Sequence, residues 1–150
     1  KDMNLEEKVM AELKEAMKAK DTVALDSIRA IKSAILLAKT DGTGKPIDDA
    51  REIQILQKLV KSRRESLEIY EKQGRTDLAA TEKSQIAVIE KFLPAQMSPE
   101  EVEVVLKGIL AEVGATSPKD MGKVMGAANQ KLAGKADGRM ISEIVKKLLN

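Results

Sequence analysis

The sequence predicts an all-α protein, and three observations carry that class. Aromatic residues are confined to Tyr70 and Phe92, so the core falls to Leu, Ile, Val, Met and Ala, a mixture that suits helices better than strands. Apolar residues recur at spacings of three and four along most of the chain. Gly and Pro clusters cut that pattern into helix-sized pieces. With 150 residues, 43% of them hydrophobic, the chain has material for one ordinary domain or two small ones.

Asn4 is placed to cap a first helix whose stripe is Leu5, Val9, Leu13 and Ala16 or Met17, reaching about Lys20. After Lys20 and Asp21 a second stripe runs through Leu25, Ile28, Ile31, Ile35 and Ala38, and "TDGTGKP" breaks it. A third helix starts at Asp48 or Asp49, whose carboxylates suit the positive end of a helix dipole, and runs to Gln73 with Ile53, Leu56, Val60, Leu67 and Tyr70 inward. A fourth spans about 77 to 92, with Leu78, Ile86, Ile89 and Phe92 inward, until Pro94 interrupts it.

Ser98, Pro99 and Glu101 then fit the N-cap, N1 and N3 positions of a capping box, which opens a fifth helix over 99 to 113 with Val102, Val105 or Leu106, and Ile109 buried. Ser117 and Pro118 repeat that start for a sixth helix carrying Met121, Val124, Met125, Ala128 and Leu132, which Gly134 ends. Asp137 caps the seventh or shapes the turn before Gly138, with Ile141, Ile144, Val145 and Leu148 inward. The expected architecture is a four-helix, bundle-like N-terminal domain, 1–97, followed by a small three-helix C-terminal domain, 98–150. A module of about 50 residues is close to the size where a core becomes marginal. Met3 reads as the natural start, with Lys1 and Asp2 as remnants outside the fold.

Composition removes much chemistry. There is no Cys and no His, hence no disulfide, no thiolate nucleophile, and neither the commonest general base nor the commonest metal ligand. No spacing nominates a catalytic residue, and neither a metal nor a cofactor is expected. "MGKVMG" lacks the strand-first context of a P-loop and "GKADG" lacks its GK[ST] ending. The absence of a long apolar run or a signal-peptide core predicts a cytoplasmic protein with no membrane partner.

Charge points elsewhere. The chain carries a formal +2, but from 119 to 147 Lys119, Lys123, Lys131, Lys135, Arg139, Lys146 and Lys147 face only Asp120, Asp137 and Glu143. Lys123, Lys131, Lys135 and Arg139 are candidate phosphate contacts, and the turn before the seventh helix is placed to aim free N–H groups at a phosphate. Gly122 and Gly126, four apart on one helix face, read as sites of close approach by a neighbouring helix or an RNA backbone. Gly122 and Gly134 join the RNA-binding candidates on that ground. With no aromatic platform for base stacking, shape-directed contact with a folded RNA fits best. A second basic surface comprises Lys58, Lys61, Arg63 and Arg64, much of whose charge Glu65 and Glu68 are positioned to pair.

The stretches "RAIKSAILLAKTD", "YEKQGRTDLA", "FLPAQMSPEE" and "MGKVMG" followed by "GKADG" closely resemble the free-standing YqeY-like proteins, which are related to the tail domain of the GatB subunit of aminoacyl-tRNA amidotransferase. The match covers nearly the whole chain. It implies a helical bundle joined to a three-helix domain and kinship with a tRNA-contacting module. Gly122, Lys123, Val124, Met125, Gly134, Lys135, Ala136 and Asp137 carry over best, whereas Gly126 and Gly138 depart from the GatB pattern. The resemblance therefore implies a noncatalytic tRNA-binding or tRNA-related accessory protein, with tRNA and an aminoacyl-tRNA synthetase or amidotransferase as partners. It also implies a carbon-nitrogen ligase label with glutamine as amido donor, for which no catalytic constellation is present. A protein-interaction module binding an acidic partner is the third reading.

Overall fold

The computed structural model describes residues 3–150, and Lys1 and Asp2 lie outside the described residues. Seven α-helices and no strand occur among those described. The chain divides into two compact units, one ending at Leu93 and one running Pro94–Asn150.

In the first unit, α1 (Leu5–Ala19) begins with a complete capping box. The Asn4 side chain accepts the Glu7 N–H at 2.9 Å while Glu7 accepts the Asn4 N–H at 3.1 Å, satisfying two N–H groups that the helix itself cannot. Asp21 caps α2 (Thr22–Lys39) through the Ala24 N–H, and Asp48 caps α3 (Asp49–Lys72) through the Arg51 N–H. Gly74, at φ 70°, turns the chain into α4 (Thr76–Glu90). Helix α3 packs along α4, α1 against α2, and α2 against both α3 and α4.

Their shared core is Leu5, Val9, Ile28, Ile31, Ile35, Leu56, Val60, Ile86 and Ile89, each worth about 1.5–3 kcal/mol when fully removed from water. Two inward expectations shift by a residue, one here and one in the last helix, where Leu149 is buried and Leu148 only half-buried. Ala79 is buried and Leu78 only half-buried, because Ala79 lies seven residues, two helical turns, before Ile86 on the inward face. Arg63 donates to the Gln85 side chain at 3.0 Å and Arg64 to Glu90 at 2.8 Å, clasping α3 to α4.

The second unit opens with the capping box of α5 (Pro99–Val113), in which Ser98 and Glu101 each accept the other's N–H. Gly114, at φ 68°, ends the helix. The Ser-Pro pair at 117 and 118 opens a single 3₁₀ turn, Pro118–Asp120, instead of α6 itself, which spans Met121–Lys131. The Asp120 carboxylate folds this turn back, accepting the Thr116 and Ser117 N–H groups at 2.9 and 3.2 Å. Helix α7 (Gly138–Leu149) is capped by Asp137. Val102, Leu106, Ile109, Val124, Ala128, Leu132, Ile141, Val145 and Leu149 form a second core where the three helices meet.

The segment before α5 belongs to this unit by its hydrogen bonds. The Met97 N–H donates to the Lys135 carbonyl at 2.8 Å, and the Gln96 carboxamide to the Gly134 carbonyl at 2.7 Å.

Candidate nucleic-acid interface

Helix α6 and the turn after it carry most of the candidate residues. Val124 and Ala128 bury one side of α6. At 100° per residue the opposite side presents Gly122, Gly126 and Asn129, with Lys123 and Gln130 beside them, and all five are exposed. A Cβ added at Gly122 or at Gly126 would meet nothing within 4 Å. The expectation that these glycines seat a neighbouring helix is thereby corrected: the chain's own packing leaves both open. Each lowers helix stability by about 1 kcal/mol relative to Ala, with no internal contact to offset it.

The lysines separate into two kinds. Lys131 lies about 80° around α6 from Lys123 and is held by Glu112 of α5 at 3.5 Å. Arg139, in the first turn of α7, is 3.4 Å from Glu143. Both pairs are more than half exposed, where such contacts contribute about 0–1 kcal/mol and yield readily to a competing anion. Lys123 and Lys135 are exposed and carry no ion pair among the described residues. Lys123 lies close enough to Asp120 to help, after the Thr116 and Ser117 N–H groups, to hold that carboxyl below its usual range.

Two features of the turn differ from expectation. Gly134 is buried at φ 75° with its carbonyl taken by Gln96, so its left-handed backbone serves a close approach by the chain itself. The start of α7 is no open phosphate cradle either. The Asp137 carboxylate already accepts the Met140 N–H at 2.9 Å and puts a negative charge where an anion would have to sit. Lys135 is what the turn presents outward.

The second basic surface is thinned by structural use. Arg63 donates to Gln85 of α4 and to the Leu59 carbonyl of its own helix, and Arg64 pairs with Glu90 of α4 while staying exposed, beside the exposed Lys58 and Lys61. Among the described residues, no three His, Cys, Asp or Glu side chains group so as to hold a metal ion. No helix among them is long and apolar enough to cross a membrane.

Fold and surface together define an all-helical chain whose C-terminal unit exposes a glycine-bared helix face beside Lys123. A family model described as Yqey-like protein matches residues 6–149, and the chain belongs to the YqeY-like family. It is similar to the protein named Altered inheritance of mitochondria protein 41, mitochondrial, of Lachancea thermotolerans, at 32% identity over 110 residues. That match takes in 71% of this chain and only 58% of the relative's length. The protein of the same name from Pyrenophora tritici-repentis is 29% identical over 147 residues, 95% of this chain and 79% of the relative. An uncharacterized protein of Schizosaccharomyces pombe is 30% identical over 96 residues, 63% of this chain and 76% of the relative. The names of the first two relatives put those proteins in mitochondria and lend no support to the cytoplasmic expectation.

Proposed function

We propose that this protein is a noncatalytic tRNA-binding accessory factor. In this reading the unit ending at Leu93 forms a bundle-like scaffold, and the tail-like helices of the unit Pro94–Asn150 contact the RNA backbone. The supporting observation is the exposed face of α6, where Gly122 and Gly126 leave the helix surface bare beside Lys123, with Lys135 following on the next turn. A helix surface bared by two glycines beside Lys123 admits a phosphate backbone closely, as shape-directed recognition requires, and the exposed Asn129 and Gln130 on the same side can add hydrogen bonds to phosphate or sugar oxygens. Lys131 and Arg139 exchange their exposed carboxylate partners for phosphates on binding.

Titration of total tRNA at two salt concentrations tests this. Binding that weakens steeply with salt is expected, and Lys123→Ala with Lys135→Ala lowers the slope by about 1 per lysine removed. No binding at low salt, or binding indifferent to both substitutions, rules the reading out.

The alternative of a glutamine-dependent carbon-nitrogen ligase draws only on the kinship with the amidotransferase. Product formation from mischarged tRNA, glutamine and ATP by the purified chain would establish it. The names of the Lachancea and Pyrenophora relatives favour a mitochondrial place of action over a cytoplasmic one, which imaging the chain against a mitochondrial marker decides.

A further inference from the structure

We propose that Gln96 is a positioning residue for Lys135, a role that rests on the RNA-binding reading above and adds to it the device that holds one of its cations in place. Pro94–Met97 has no regular secondary structure, and two of its donors, the Gln96 carboxamide and the Met97 N–H, find acceptors in the turn between α6 and α7. The Gln96 Nε2 donates to the Gly134 carbonyl at 2.7 Å and to its own segment's Pro94 carbonyl at 2.9 Å. Both partners are acceptors, so the amide nitrogen, not the oxygen, must face them.

One residue on, the Met97 N–H holds the Lys135 carbonyl at 2.8 Å, while the Lys135 N–H is held by the Leu132 carbonyl at 2.9 Å. Ala136 is 4% exposed and anchors the far side of the turn in the second core. The backbone of Lys135 is therefore fixed before, at and after the residue, while its side chain stays exposed.

A cation mounted on a fixed backbone loses less freedom when it meets a phosphate, which is the general advantage of preorganisation. Gln96 itself reaches the turn only through its carboxamide. Removing that group loosens the mount without removing a charge.

The test uses the full chain with Gln96→Ala and Gln96→Met, the second keeping the side-chain length while deleting the donors. Both are expected to weaken tRNA binding about five-fold at fixed salt and to leave the salt dependence unchanged, because no phosphate contact is deleted. Lys135→Ala lowers that dependence, and in its background Gln96→Ala should have no further effect, the signature of two residues acting as one. A Gln96→Ala loss that persists in full in the Lys135→Ala background makes Gln96 merely structural and overturns the proposal, as does unchanged affinity.

Failure of the parent reading shows separately, as absence of tRNA binding by the unsubstituted chain. Amide hydrogen exchange supplies a readout free of RNA. Faster exchange at Lys135 and Met97 in Gln96→Ala, with α7 unchanged, supports the positioning role, and unchanged exchange at both overturns it.

Discussion

The glycines of α6 set two demands against each other. Gly122 and Gly126 sit in a helix where Ala would be favoured by about 1 kcal/mol each, and a methyl group there would touch nothing. Gly122→Ala and Gly126→Ala are therefore expected to stabilise the protein by about 0.5–1 kcal/mol apiece, seen as a higher thermal midpoint. If an RNA backbone lies along this face, the same methyl groups should weaken tRNA binding. Higher stability with unaltered affinity would separate the glycines from the interface. The spacing of four was legible in the sequence, but its direction was not. A period of 3.6 puts the two glycines on one face without saying whether that face is covered, and only the burial of Val124 and Ala128 fixes it outward. Lys123 and Lys135 were legible by residue type alone, whereas the hold of Glu112 on Lys131 joins residues nineteen apart on two different helices and leaves no local signal. Asn4, Ser98 and Asp137 were readable as caps because the bonds involved span only three residues.

At the scale of elements, the α2–α3 connection shows what a break in periodicity leaves unsaid. "TDGTGKP" marks where α2 stops, yet the segment is held partly by a partner it does not contain. Asp41 accepts the Thr43 N–H at 3.0 Å and the Thr43 hydroxyl at 2.7 Å, and it pairs with Arg51 of α3, which also reaches the Ala38 carbonyl at 3.2 Å. The Thr43 backbone N–H first, then the Thr43 hydroxyl, and with them Arg51, hold the Asp41 carboxyl down to about 2 from an ordinary 3.8. A folded-state value below the unfolded one means that this stabilisation is complete above about pH 4 and is lost as pH falls toward 2. Asp41→Asn is therefore expected to lower stability at neutral pH and to flatten the acid limb of the stability curve between pH 4 and 2. Thermal midpoints measured across that range check it. An equal loss at every pH would mean that Asp41 acts through hydrogen bonding that Asn cannot copy, with no contribution from its ionisation.

For the whole molecule, the boundary between its parts is a question of which residues the second core needs. The Ser98 capping box marks the first residue of α5 and suggests a domain beginning there. Met97, however, packs against the second core, and Gln96 and Met97 bond to a turn almost forty residues downstream. No window of local sequence contains both ends of such a contact, so periodicity and capping could locate the helix but not the start of the unit. A chain beginning at Pro94 keeps both bonds, and one beginning at Ser98 loses them together with the Met97 side chain. At about 0.5–1.5 kcal/mol per hydrogen bond, the shorter chain should be less stable by about 2 kcal/mol. In so small a unit that is a fall of roughly 10 °C in thermal midpoint, large enough to leave it partly unfolded near physiological temperature. Circular dichroism melts of the two chains make the comparison. Equal midpoints would show that Pro94–Met97 is a passive connector, and would remove the structural basis on which Gln96 is held to organise the Lys135 turn.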